Sequence, residues 1–383
     1  MERSENNRLL FQNIETSKEH DFMIKFNGLD RIYDAYSWRI TRRAKEVWRS
    51  GNVISSRHTK DSFLDKFETS VAKFTKRKFG VAVGSGTDAL YFALKAKGIG
   101  PESTVLCPAV SYLATAEAIK RTGATIQFVD VDNKGLISKL PDFGLPSAVV
   151  YVNLFGNLAD YAGLKQFCIK RRIPLVEDAA QSFGSYYKNI PSGKLGDISS
   201  LSFAPSKPLP CFGNGGMVLT DNEDEANIIR SLRYHSVGTA KLDHGYNSCL
   251  SNDHANVLNF LLSKYKKLLA RTKKVRQWYE EKLLDLGISS IQTNTGTTSN
   301  NHKLVIKIQD RDGLKKFLEE KGIQTQIHYQ QPMSKMKMFS TGHDTKNADK
   351  FCTDVLSLPI HPFLKKSEVL HVCNSIGEYY GLR

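Results

Sequence analysis

The stretch TVLCPAVSYLATAEAIKRTGATIQFVDV, residues 104–131, carries the reading of the fold. Its opening, TVLCPA (104–109), is a short apolar run of the kind a buried strand requires. YLATAEAIKRTG (112–123) switches to helical spacing and ends on Gly123, a residue type free to adopt the left-handed conformation that closes helices. TIQFVDV (125–131) returns to strand character. Strand, helix and strand in so short a span make a βαβ unit, in which the two strands run parallel and the helix covers one face.

The same alternation extends in both directions. Upstream, KFGVAV (78–83) reads as a strand and DALYFALKAKG (88–98) as a helix; before them, residues 26–49 suggest a helix rich in aromatics and arginines. Downstream, SAVVYVN (147–153) and PLVED (174–178) are strands flanking the helix YAGLKQFCIKRR (161–172), and SSLSFA (199–204) and GMVLTD (216–221) continue the set. Apolar runs alternating with amphipathic helices predict an α/β fold with a mostly parallel sheet covered on both faces. After Glu223 the pattern changes. NIIRSLRYH (227–235) is helical, and a long helix is expected from about Ala255 to Leu286, with Gly287 to end it. A strand at HKLVIKI (302–308), a helix near Asp312–Lys321, a strand at Gln324–His328 and a terminal helix from Ser367 complete a smaller α+β set. The expected division is an N-terminal extension over 1–22, a large domain over 23–253 and a small C-terminal domain over 254–383.

Composition narrows the function classes. Of 383 residues, 40% are hydrophobic and 24% charged, an ordinary water-soluble balance. No apolar run is long enough for a membrane helix, and the polar N-terminus MERSENNRLLFQNIETSKEHDF has no secretory pattern, so a cytoplasmic protein is expected. The six cysteines are widely spaced with no CxxC pair, which predicts free thiols and no metal site. The net charge of +15 favours acidic partners, phosphorylated metabolites among them. The chain has no helix-turn-helix, RNP or zinc signature, so charge alone does not make it a nucleic-acid binder.

Three phrases can carry chemistry. Gly84-Ser85-Gly86-Thr87 lies between a strand and a helix, where glycines allow close approach and helix N–H groups point at an anion; taken alone, a plain tight turn is the more frequent explanation. It is neither a Walker A loop nor GxGxxG. Glu177-Asp178 closes a strand at the edge that faces ligands in open α/β sheets, and a carboxylate there can bind a cation or a protonated ring nitrogen, or cap a helix. Lys207 sits among Pro205, Pro208 and Pro210 ahead of Gly213-Asn214-Gly215-Gly216. Lysine forms Schiff bases when burial lowers its pKa, but a loop lysine can also be merely solvated.

Phosphate cup, carboxylate about 90 residues later and lysine about 30 residues after that make an order typical of fold-type I pyridoxal-phosphate enzymes. The text in detail resembles the DegT/DnrJ/StrS family of sugar aminotransferases over roughly residues 24–383. The resemblance is carried by VGSGTDAL (83–90), GIGPESTVLCPAVSYLATAEAI (98–119), VEDAAQSFGSYY (176–187), LSFAPSKPLPCFGNGGMVLTD (201–221), GYNS (245–248), IHYQQP (327–332) and LSLPIHP (356–362).

The resemblance implies a fold-type I transferase, its large domain built on a mostly parallel seven-stranded sheet, with pyridoxal 5'-phosphate as cofactor. Lys207 would join the cofactor through a Schiff base and shuttle the proton. Asp178 would pair with the ring nitrogen, Gln181 lie near the phenolic oxygen and Tyr112 stack on the ring. Gly86, Thr87 and Ser202 would hold the phosphate. Asn247 would reach the phosphate of a neighbouring subunit, which implies a homodimer with shared sites. His328 and Tyr329 match a His-Tyr near the sugar pocket, although either could serve only in packing. The implied reaction takes an amino group from glutamate, releasing 2-oxoglutarate, and moves it to the ketone of a nucleotide-diphospho-deoxyhexose for amino-sugar and surface-polysaccharide synthesis. Cys249, His254 and Pro208 depart from the family pattern. A pyridoxamine-phosphate-dependent sugar dehydratase is an alternative, but it would have histidine in place of Lys207. A non-catalytic sensor of the same fold is another.

Overall fold

The structure, a computed structural model, describes residues 23–55, 62–142, 144–237, 240, 242–339 and 342–382. The extension expected over 1–22 lies outside the described residues. Helices α1 (Leu29–Ser50) and α2 (Phe63–Phe74) come first. Ser62 starts α2 through a capping box: its side chain accepts from the Asp65 N–H while the Asp65 carboxylate accepts from the Ser62 N–H. Then follow β1 (Phe79–Val83), α3 (Gly86–Ala96), β2 (Thr104–Pro108), α4 (Ala114–Arg121), β3 (Thr125–Val129), β4 (Ala148–Val152), α5 (Tyr161–Arg171) and β5 (Leu175–Asp178). A small hairpin of β6 (Tyr186–Tyr187) and β7 (Ile190–Pro191) precedes β8 (Ile198–Ser202), β9 (Gly216–Thr220) and α6 (Glu223–Leu232). The rest comprises α7 (Asn252–Asp285), β10 (Thr297–Thr298), β11 (Leu304–Lys307), α8 (Arg311–Glu320), α9 (Lys346–Asp354), β12 (Val355–Leu358) and α10 (Lys366–Tyr380).

The central sheet has seven strands in the order β1-β9-β8-β5-β4-β2-β3. It is parallel except around β9, which runs antiparallel to both β1 and β8. This topology positions the site. β1, β2, β4, β5 and β8 all end at one edge, and β9, running the other way, begins there at Gly216. Ligands of open α/β sheets bind outside that edge.

The apolar strand cores pack on both sheet faces. Val105, Leu106, Val149, Val150 and Leu175 join helix residues such as Phe92 and Ile119 in one cluster. Met217, Leu201 and Ala82 join α1, α2 and the first half of α7, including Leu258 and Tyr265, in another. The second half of α7, with Val275, Tyr279 and Leu283, enters a third cluster with β11, β12 and α10. All six cysteines are unpaired and five are buried.

One reading of the C-terminal region needs correction. The strand expected at Gln324–His328 is no ladder but two single bridges, Ile24 with Ile323 and Gln326 with Ser357. The segment changes partner midway: Gln324 N–H donates to Ile24 O, and Gln326 N–H to Ser357 O. Neither pairing is long enough to build a strand. The strand that does pair with β11 is β12, register Leu304 to Leu358, inside the phrase LSLPIHP.

Candidate functional site

A cavity of about 570 Å³ opens at the carboxyl edge of the sheet. It is lined by Gly86, Thr87, Tyr112, Asp178, Gln181, Ser202, Lys207, His328 and Tyr329, every residue to which the resemblance gives a role except Asn247.

The cup is made where β1 turns into α3. Ser85 caps this helix, its side chain accepting from the Asp88 N–H at 3.1 Å, and the first helical N–H groups head the cavity edge without intrahelical partners. A Cβ on Gly86 would sit 2.6 Å from Ser202 Cβ and 2.8 Å from Ser202 Oγ, so only glycine lets the helix start approach the end of β8. Thr87, Ser202 and the start of α3 line the same cavity, an arrangement suited to a phosphate.

Asp178 ends β5. Its Oδ2 accepts from Thr115 Oγ1 at 3.0 Å and its Oδ1 from the Ala180 N–H at 3.1 Å. Thr115 is in turn held by Ser111 at 2.8 Å. Burial raises the Asp178 pKa, against the Ala180 N–H, the Lys207 charge and the Thr115 hydroxyl. Among the described residues it has no ion-pair partner, so a cation brought into the cavity would find an oriented carboxylate there. Glu177, the preceding residue, points to the opposite face of the sheet and is fully buried. It accepts from Asn153 Nδ2, Ser192 Oγ, Ser199 Oγ and the N–H groups of Gly193 and Leu195, and so anchors the loop after β7. The pair read together in the sequence therefore divides into one structural and one cavity-facing carboxylate.

Lys207 is half-buried in a turn closed by its N–H donating to Ala204 O at 2.9 Å. Burial lowers its pKa, and Asp178 opposes that shift. A lysine so placed is more often neutral, and so more nucleophilic, than a solvated one. Its Nζ lies 6.0 Å from the Tyr112 ring centroid. Tyr112 is 53% exposed, lines the cavity and lies 6.4 Å from the Tyr329 ring. Gln181 uses both ends of its amide: Nε2 donates to Tyr329 Oη at 3.0 Å, and Oε1 accepts from the Phe155 N–H at 2.9 Å. His328 Nδ1 lies 2.8 Å from Ser357 Oγ, which ties the cavity wall to β12.

Asn247 is exposed and does not line the cavity of its own chain. Its neighbour Ser248 docks on the cup, its hydroxyl donating to Asp88 Oδ2 at 2.7 Å and its carbonyl accepting from the Gly84 N–H at 2.9 Å.

Thr115, His302 and Lys303 also line the cavity and were not singled out in the sequence. Thr115 lay inside a helix-like phrase, where hydroxyls carry no positional signal. His302 and Lys303 open a run read only as a strand. Nothing in the alternation of HKLVIKI separates Lys303, which is buried, from Lys307, which is exposed.

The family model for the DegT/DnrJ/EryC1/StrS aminotransferases matches residues 39–377. The chain is 30% identical over 370 residues to UDP-2-acetamido-2-deoxy-3-oxo-D-glucuronate aminotransferase of Pseudomonas aeruginosa, covering 92% of this chain and 99% of that protein. It is equally 30% identical over 373 residues to a pleiotropic regulatory protein of Geobacillus stearothermophilus, covering 92% and 97%. Among solved structures, a DegT DnrJ EryC1 StrS aminotransferase from Brucella abortus superposes with a TM-score of 0.86 at 27% identity, covering 94% of this chain and 100% of that one.

Proposed function

Because this chain belongs to the DegT/DnrJ/EryC1/StrS aminotransferase family, we propose that it transfers an amino group, taken from glutamate, to the keto group of a nucleotide-diphosphate sugar. The cofactor of the family is pyridoxal 5'-phosphate, which when bound supplies an electron sink for carbanion chemistry. The residues fit it: a glycine cradle that a Cβ would fill, a buried carboxylate without a cation, and a lysine of lowered pKa share one cavity. That shared cavity is the single observation that carries the reading. In it Gly86, Thr87 and Ser202 hold the phosphate, and Tyr112 offers a ring face. Asp178 keeps a ring nitrogen protonated. Lys207 Nζ binds covalently and moves the proton during transfer. Gln181, held by Tyr329, orients the ring edge, and His328 and Tyr329 wall the sugar side.

The nucleotide-sugar acceptor is supported by the name of the Pseudomonas aeruginosa relative and by the net charge of +15, which suits a diphosphate. We also propose a homodimer in the cytoplasm, with Asn247 completing the partner's cup; no helix among the described residues is long and apolar enough to cross a membrane. The division into 23–253 and 254–383 is proposed likewise; the second half of α7 enters a core with β11, β12 and α10, whereas its first half still packs with the large domain.

The name of the Geobacillus stearothermophilus relative favours a second reading, a regulatory protein that keeps the cofactor site. One experiment separates the two. The purified protein should absorb in the near-violet, borohydride should abolish the band, and peptide mapping should find the cofactor mass on Lys207. Incubation with glutamate and a panel of nucleotide keto sugars, read by mass spectrometry, should then yield an amino sugar. Label on another lysine would refute the assignment of Lys207. A labelled Lys207 without transfer to any acceptor would favour regulation.

A further inference from the structure

Lys303 is the cation of the cavity that the proposed reaction does not use. It stands just before β11, 6% exposed, on the wall shared by the main cavity and a smaller one of about 70 Å³ beneath the start of α1. Among the described residues no carboxylate lies within ion-pair distance of its Nζ and no hydrogen bond engages it. Its recorded contact is the Phe26 ring, 4.5 Å from Nζ to centroid. A cation over an aromatic face is stabilised, but far less than by a counter-ion. His302, beside it, has a buried Nε2 with no hydrogen-bond partner.

The other charges of the site feel opposite charge or face donors, although Lys207 and Asp178 form no ion pair among the described residues, whereas no carboxylate acts on Lys303. Lys207 is opposed by Asp178, and a cofactor phosphate has the hydroxyls and helix start of the cup. Lys303 and the unpartnered imidazole of His302 have no such counterpart. A buried, unpaired ammonium is costly, and the pKa of Lys303 is accordingly pulled down to about 7, by burial first and by Lys207 second. An anion entering the cavity would restore the full charge of Lys303, with the His302 imidazole beside it. A single amine in so closed a position matches a single negative charge rather than a diphosphate, which needs several donors and an open path to its nucleoside.

We propose that Lys303, with His302 beside it, is a specificity site that binds a carboxylate of one of the reacting partners, either the amino donor or a sugar bearing a carboxyl group. The inference rests on the aminotransferase reading of the same cavity and deepens it.

The test measures binding by calorimetry on the cofactor-loaded protein. The probes are 2-oxoglutarate, UDP-glucuronic acid and UDP-glucose, the last two differing only in the sugar carboxylate. The variants are Lys303→Met, which keeps a long apolar side chain on Phe26, and Lys303→Arg, which keeps the charge. Lys303→Met should weaken one carboxylate ligand about tenfold or more, as loss of a charged hydrogen bond does, and leave UDP-glucose unchanged. Lys303→Arg should retain most of the affinity. A loss confined to 2-oxoglutarate identifies the donor as the source, and one confined to UDP-glucuronic acid identifies the sugar. Wild-type affinity of Lys303→Met for both carboxylate ligands, an equal loss for UDP-glucose, or a wild type that binds neither carboxylate would overturn the proposal. Failure of the aminotransferase reading would appear separately, as absence of amino transfer by the wild-type protein.

Discussion

Two adjacent carboxylates on one strand have opposite tasks, because side chains alternate across a sheet. Glu177 satisfies several buried donors at once. Glu177→Ala should therefore cost about 3 kcal/mol or more in urea denaturation, since each orphaned donor is left desolvated. Asp178→Asn should cost much less stability, because the amide oxygen can still accept from Thr115. Its effect falls on chemistry. An amide cannot hold a ring nitrogen protonated, so single-turnover reaction with glutamate alone should slow by about a hundredfold or more. The Lys207 band should still form in this variant. A wild-type single-turnover rate would make Asp178 a packing residue, and an unaltered denaturation midpoint in Glu177→Ala would contradict the anchoring role. Sequence reading brought these two residues forward as one motif. Only the register of β5 with β4 and β8 tells them apart.

At the scale of elements, the roof over Lys303 depends on how α1 is held. Arg31 in α1 donates from Nη1 to Glu368 Oε2 at 2.8 Å and to Phe363 O at 3.1 Å, and from Nη2 to Glu368 Oε1 at 2.5 Å. Glu368 lies in the first turn of α10 and also accepts from the Lys365 N–H. Burial tends to raise its pKa, but the Arg31 hydrogen bond, the Lys365 N–H and the Arg31 charge outweigh burial, and the value falls below the ordinary 4.5. A depressed carboxylate contributes stability that is present above its unfolded pKa and is lost as pH falls through the folded value. Arg31→Met should accordingly destabilise the protein by about 1–3 kcal/mol near pH 7, and the gap to wild type should shrink as pH drops below about 4. Denaturation curves of both proteins across that range would check it. A gap independent of pH would mean that the arginine acts through packing alone. Neither residue was singled out in the sequence, because they are far apart along the chain and meet only when both helices are in place.

At the scale of the whole molecule, Asn247 is the residue whose assignment depends most on assembly. It is exposed, while its neighbour Ser248 is bound to the cup. The large exposed side chains of α1, Trp38 at 67% and Trp48 at 56%, add apolar surface that a second copy could cover. Sedimentation at micromolar protein should give about twice the chain mass of 43.0 kDa. Asn247→Ala should weaken cofactor retention without altering the denaturation midpoint of the cofactor-free protein. A fully active monomer would refute the shared site.

The sequence by itself determined the mostly parallel sheet, through βαβ alternation that has few other solutions, and brought Lys207, Asp178 and the glycine turn forward as candidates. These are local facts: a period, a breaker, a residue type at a strand end. The tertiary structure decided what depends on two distant segments meeting. It shortened Gln324–His328 to two bridges by splitting its partners between Ile24 and Ser357, and it paired β11 with β12. It also divided Glu177 from Asp178 and enclosed Lys303 while leaving Lys307 in water. Burial and the company of charges are properties of the packed chain, and no spacing along it encodes them.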